Sequence, residues 1–324
     1  MVHEELFARL NDIGYKNWLK AGCCLLKIKD GLHGYVNKAM KCFHEMLINN
    51  NHVLQKGQRC NYDCRPKGNQ LYNLCKLCEE WRAEILRHHT NRTGVVNWGN
   101  CKPCLWPSHH WEIAKAYMPR GLASVTGAEQ CDASALLNLI TFCDYFSLIN
   151  QRHVREVIGK RNELMHSCEM RVSAQWMDQY RRSLDQLLDQ LRHIPELAAT
   201  GREIHEILSV DWTVSPPRVD CMDGLETDDV SQLVDGPVQA GLEAGDVSQL
   251  ESVLLRERLQ ELLHCTQLQD PPDPQGLQEL QGLRDFLQSQ RDLGEKFQTE
   301  LLSLGSGEPQ PHQTGTAAQP TESN

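Results

Sequence analysis

Two constellations in this 324-residue chain combine residue types that chemistry needs at spacings that chemistry can use. The first is Cys60-x3-Cys64-x10-Cys75-x2-Cys78, four thiols within 19 residues. Zinc takes four ligands in a tetrahedron at Zn–S distances of about 2.3 Å, and cysteines two or three apart on tight turns supply two corners each. Cys101-x2-Cys104 is a further pair, so Cys75, Cys78, Cys101 and Cys104 make an alternative quartet, with His88 and His89 lying between as substitutes. Buried cysteines without a metal are common. Three paired spacings within 45 residues nevertheless favour a structural zinc. Cys60, Cys64, Cys75 and Cys78 are the expected ligands, because theirs is the most compact loop to close. No H-E-x-x-H run places a general base beside an open coordination position, which argues against a catalytic metal.

The second constellation is Arg161-Asn162-Glu163-Leu164-Met165-His166. On a helix, positions four apart lie about 40° from each other, so Asn162 and His166 share a face. The long side chain of Arg161 reaches the same surface. An imidazole takes a ribose hydroxyl proton near neutral pH, and a guanidinium holds phosphate oxygens and offsets charge in the transition state. Asn162 can orient either partner. The plainer reading has Arg161 in a surface ion pair, His166 at a helix end, and Leu164 and Met165 in the core. From spacing alone the plainer reading is the commoner one.

Helices must position both groups. In the first fifty residues Trp18, Leu25, Leu26, Leu32, Val36, Met40, Phe43 and Leu47 recur at steps of three and four or their sums. Gly57, Pro66 and Gly68 break that pattern, so residues 57–74 read as a cysteine-bearing loop. Short helices are expected at about 79–90 and 109–118, the second ended by Pro119 and Gly121. Asp132 is a candidate cap for a helix holding Leu136, Leu137, Leu139, Ile140 and Phe142. Helices over about 151–168 and 173–192 follow, then a shorter one after Pro195 that ends near Val210. No strand stands out before that point, and an all-α bundle is expected for residues 1–210, with a cysteine-rich insertion at about 58–105.

The second part of the chain differs in kind. Residues 211–247 read as an acidic, flexible linker, and they contain a small duplication: Asp-Val-Ser-Gln-Leu at 229–233 and again at 246–250. Residues 248–304 carry two amphipathic leucine-rich faces on either side of Pro271-Pro272-Asp273-Pro274 and read as a helical hairpin or coiled-coil segment that needs a partner face. Residues 305–324 are rich in Pro, Gln, Thr and Gly and are expected to be disordered. Charge divides the same way. Residues 1–210 hold 27 Lys and Arg against 22 Asp and Glu, while residues 211–324 hold 6 against 21. The front half can therefore accept a polyanion that the rear half repels.

No apolar run approaches the ~20 residues that span a bilayer, and Met1-Val2-His3-Glu4-Glu5 lacks the basic and apolar character of a signal peptide. An intracellular protein, cytoplasmic or nuclear and away from membranes, is expected. Fourteen cysteines in a reducing compartment then point to metal rather than disulfides.

The R-N-x-x-x-H run resembles the motif of the HEPN superfamily. Asn17-Trp18-Leu19-Lys20-Ala21-Gly22, Asn97-Trp98-Gly99-Asn100 and Trp111-Glu112-Ile113-Ala114-Lys115-Ala116-Tyr117-Met118-Pro119 resemble the HEPN domain of the vertebrate DAZ-interacting zinc-finger ubiquitin ligase. The similarity is greater still to a vertebrate family known as an X-chromosome open reading frame, and it runs from residue 1 to about 210, with a looser match in the C-terminal helices. The resemblance implies a helical homodimer whose paired motif helices bind or cleave RNA without metal. Arg161, Asn162 and His166 take the catalytic roles, and Glu163 is placed to orient Arg161. Many such domains are inactive scaffolds or adaptors. The ligase's RING finger has no counterpart here, so ubiquitin transfer is not implied. Two functions are therefore expected to compete: an RNA-binding or RNA-cleaving dimer acting on single-stranded RNA, and a non-catalytic adaptor that recruits proteins through the acidic linker and C-terminal helices.

Overall fold

The computed structural model describes residues 2–56, 59–91, 94–167, 169–210, 212–214, 244–268 and 274–305. Most of residues 211–247, the first copy of the duplication and nearly all of the expected disordered tail lie outside the described residues.

A short helix α1 (Val2–Asn11) leads into α2 (Ile13–Asn50), whose 38 residues span about 57 Å at the helical rise. Asp12 starts α2 by accepting a hydrogen bond from the Tyr15 amide at 2.9 Å. The expected stripe along α2 is buried from Trp18 through Leu25, Leu32, Val36, Met40 and Phe43 to Leu47. This helix is the mast on which most of the other elements lean. Beyond it comes a two-residue hairpin, β1 (Pro66–Lys67) and β2 (Gln70–Leu71), turned at Gly68 with φ +57°. Strands that short leave no alternation to read, and none was expected. Then follow α3 (Lys76–Arg87) and α4 (His110–Ala114).

The expected helices then appear. They are α5 (Ala133–Phe142), α6 (Gln151–Met165), α7 (Ala174–Leu191) and α8 (Pro195–Ser209). Asp132, Asn150 and Ser173 cap the first three by accepting backbone N–H bonds from Ala135, Arg152 and Trp176. Residues 244–305 form α9 (Ala244–Leu268), α10 (Pro274–Ser289), α11 (Arg291–Lys296) and α12 (Gln298–Gly305). The second copy of the duplication thus belongs to the start of α9.

The partner face for these last helices is the front half of the same chain. α9 packs on α2 so closely that a Cβ at Gly22 would stand 2.4 Å from Leu254 Cδ1. Leu255, Leu259, Leu283, Leu287 and Phe297 are buried with it. A charged knot completes the seam. The Arg9 guanidinium donates to Glu251 at 2.8 and 3.1 Å, to Asp292 at 2.7 and 3.0 Å, and to Gln290 at 2.7 Å. The Tyr15 hydroxyl donates to the same fully buried Glu251 at 2.6 Å. A buried carboxylate is tolerable only when this well paired and hydrogen-bonded. Among the described residues no helix is long and apolar enough to cross a membrane.

Candidate functional site

The cysteine loop closes on itself. Cys60 and Cys64 precede the β1–β2 hairpin, Cys75 caps α3, and Cys78 lies in its first turn. All four sulfurs lie within 4.8 Å of one another. Cys60 and Cys75 are 3.8 Å apart, close to the ~3.8 Å edge of a tetrahedron built on 2.3 Å bonds. A disulfide would need about 2.05 Å, and all four are free thiols. The Cys75 amide donates to Cys64 Sγ at 3.3 Å, the kind of bond that steadies a thiolate. Partial burial works against ionising Cys60, yet the backbone amides of Cys64 and Tyr62 and the neighbouring thiols bring it down to about 7. Burial, with Cys75 and Cys60 beside it, pushes the Cys78 thiol far up. Such a set is compatible with a metal site whose occupant draws off the protons.

The alternative quartet does not assemble. Cys101 is buried, its thiol held up by burial and by Glu112, with Lys115 and Trp106 also acting on it. Cys104 lies nearer: its amide donates to the Cys64 carbonyl at 3.3 Å, and its thiol interacts with Asp63. His88 is bonded to Asp144 at 2.8 Å, and His89 is stacked between Tyr117 and Phe142, so neither histidine joins the cluster.

The insertion is braced on its far side by the Trp-Gly-Asn turn. Asn100 donates to the carbonyls of Lys115 at 3.2 Å and Pro119 at 2.7 Å and accepts from the Leu122 amide at 3.0 Å. Asn97 donates to the Met118 carbonyl at 2.8 Å.

The Arg161–His166 run occupies the end of α6. Trp18 of α2 holds it there, its indole donating to the Leu164 carbonyl at 3.1 Å. Leu164 and Met165 are core residues. The three candidate side chains, however, do not open onto one pocket. Arg161 is buried, and its guanidinium donates to Glu261 of α9 at 2.6 Å and to Asp132 at 3.2 Å. Despite burial, these carboxylates raise its pKa still further. Asn162 is exposed. His166 lies past the last helical residue as the C-cap, its amide bonded to the Asn162 carbonyl at 2.9 Å. Its ring is 49% exposed, and Nδ1 lies 2.7 Å from Glu279 of α10. Glu163 does not orient Arg161. It accepts instead from Lys160 at 2.8 Å and from the Trp176 indole at 2.6 Å.

The residues that sequence reasoning missed are the carboxylates that answer this cationic face: Glu257, Glu261 and Glu279 from α9 and α10. Glu257 is held above the usual carboxylate range by burial and by Asp132, against Lys29 and Arg161. Glu261 is 100 positions from Arg161, and Glu279 is 113 from His166, far outside any local spacing rule.

Comparison with known proteins supports part of the resemblance. The chain is 40% identical over 308 residues to a mouse (Mus musculus) protein named "Uncharacterized protein CXorf38 homolog", covering 94% of this chain and 93% of the mouse protein. The X-chromosome open-reading-frame similarity is thereby established, whereas these matches do not carry the HEPN assignment. No solved structure matches. A family model described as a domain of unknown function spans residues 9–319, taking in the cysteine loop, α6 and the C-terminal helices together. The chain belongs to the DUF4559 family.

Proposed function

We propose that this protein is a non-catalytic helical adaptor with a structural zinc, and that the Arg161 ion pairs and the His166–Glu279 hydrogen bond form a joint holding the C-terminal helices on the front half. The observation that carries this reading is the Arg161 guanidinium, buried and already bonded to Glu261 and Asp132. A guanidinium neutralised within its own chain has no free charge with which to grip a phosphodiester. Zinc at Cys60, Cys64, Cys75 and Cys78 replaces apolar core in a loop too polar to pack by itself. The apolar faces of α9 and α10 are spent on the chain's own core, so recruitment falls to the acidic stretch 211–247, whose charge suits basic protein segments.

The RNA-cleaving HEPN homodimer is the second reading, favoured by the exposed Asn162 and the half-exposed His166 ring. One experiment separates them. Full-length protein is incubated with single-stranded RNA without added metal, and the products are examined for 2′,3′-cyclic phosphate ends. The adaptor reading expects intact RNA. Cleavage that vanishes in His166→Ala overturns it and reinstates the nuclease.

A further inference from the structure

The four thiols of the cysteine cluster are not equivalent. Cys64 and Cys78 are buried, whereas Cys60 and Cys75 are partly exposed. The sulfurs of the exposed pair are 3.8 Å apart, and a disulfide needs about 2.05 Å, so a shift of about 2 Å joins them. Cys75 is fixed at the head of α3, while Cys60 precedes the hairpin in a segment that is neither helix nor strand.

Reagents can reach Cys60 from one side. Of the four clustered cysteines it is the one that lines a cavity of about 720 Å³, whose wall includes the exposed residues Arg59, Asn61 and Ser108 and so communicates with solvent. Cys104 lines the same cavity but stands outside the cluster, its thiol engaged by Asp63. Zinc holds cysteine as the thiolate, which is the form that reacts with oxidants.

We infer that Cys60 and Cys75 are an oxidation site, joined as a disulfide by a hydroperoxide with release of the metal, an inference that rests on zinc occupying the cluster. The Cys60 thiolate attacks one oxygen of hydrogen peroxide, the O–O bond breaks, hydroxide leaves, and Cys60 carries a sulfenic acid. The Cys75 thiolate then attacks the Cys60 sulfur, which forms the S–S bond and displaces a second hydroxide. Two electrons pass from the two thiolates to the peroxide, and the two hydroxides become water on taking up two protons. Cys64 and Cys78 alone cannot complete a four-ligand site, and they take up protons as the metal departs. The disulfide links positions 15 apart within the loop that the metal had closed, so the insertion exchanges one staple for another.

The test uses the full-length protein, purified without chelator and assayed for zinc before one equivalent of hydrogen peroxide per chain is added. Zinc release is followed with a chromogenic chelator, remaining thiols are blocked with N-ethylmaleimide, and tryptic peptides are mapped by mass spectrometry. Cleavage after Arg59, Lys67, Lys76 and Arg82 puts Cys75 and Cys78 on separate peptides, and fragmentation tells Cys60 from Cys64 on theirs. One zinc is expected to be lost per disulfide formed, and that disulfide is expected to join Cys60 to Cys75. Cys104→Ser is expected to release zinc as the unaltered chain does. Absence of zinc at the outset overturns the zinc reading and this inference with it. Zinc that is present at the outset but retained after peroxide, or lost with Cys60 joined to Cys104 or Cys64 joined to Cys78, overturns this inference alone. Retention of zinc by Cys104→Ser overturns it as well, because Cys104 would then be the reacting thiol.

Discussion

The cysteine loop and the end of α6 were the two regions whose residue types promised chemistry, and the fold treats them in opposite ways. Four thiols within 19 residues converge on one another, with one pair at 3.8 Å. The cationic face of α6 is instead met by carboxylates from helices a hundred residues further along. A short loop can bring ligands together by itself, since its closure costs little entropy. A side chain on a long helix has its environment decided by whatever packs across it. Residue type and spacing are therefore informative in the first region and nearly silent in the second.

The sharpest way to break this contrast is to remove the metal reading. Purified without chelator, the protein is expected to carry one tightly bound zinc per chain by elemental analysis. Cys78→Ser is expected to lose that zinc and to cost about 4 kcal/mol or more in urea unfolding, the range reached when a structural metal is lost. Full stability with no bound metal would make the cluster ordinary thiols.

Next in size is Arg161→Ala, which leaves Asp132, Glu257 and Glu261 facing one another without their main counter-charge. Breaking a buried pair costs up to about 3–5 kcal/mol, and the partial exposure of Asp132 and Glu261 lowers the expectation to about 2–3 kcal/mol. In Glu261→Gln the same replacement should cost less, and that non-additivity measures the joint. If Arg161→Ala is neutral, α9 is not held through this residue.

Gly22→Ala probes the same seam through shape. The new Cβ would meet Leu254 at 2.4 Å, and overpacking of this kind costs about 1–3 kcal/mol. Leu254→Ala in the same chain is expected to regain part of the loss, whereas additive effects would mean that the two helices do not bear on each other.

The smallest effect concerns Glu257. Its folded pKa lies above the 4.5 of the free group, so the folded state holds the proton more tightly than the unfolded one. Stability from this group is therefore present at pH below about 4.5 and is lost as pH rises through the raised folded value. Glu257→Gln is expected to stabilise the protein at pH 7, read as a higher urea midpoint, and to have little effect at pH 4. A loss of stability at pH 7 would mean that the ionised Glu257 is needed to balance Lys29 and Arg161.

Much of the front half was legible because its signals are local. Asp132 and Ser173 were readable as helix starts, and the stripe from Trp18 to Leu47 faces the core as its period requires. The motif words singled out in the sequence also have structural work: Trp18 pins the Leu164 carbonyl, and Asn97 and Asn100 tie the insertion to residues 115–122. The Cys60–Cys78 quartet was chosen over the Cys101 and Cys104 alternative on loop size alone, and it is the one that converges. What could not be read was the cover on Arg161. Nothing in the acidic residues of 244–305 distinguishes Glu261 or Glu279 from solvated neighbours, because their partners are set by how α9 and α10 cross α2 and α6. The Glu163 partners failed to be foreseen for the same reason, since Trp176 reaches it from α7.

Arg9 clasps Glu251 and Asp292, so the first helix of the chain and two of the last four share one knot. Covalent continuity between Val214 and Ala244 is then unnecessary for their meeting. Two separately expressed pieces, one ending at residue 214 and the other starting at 244, should find each other in solution and restore the complete molecule, which would make this scaffold a natural split reporter.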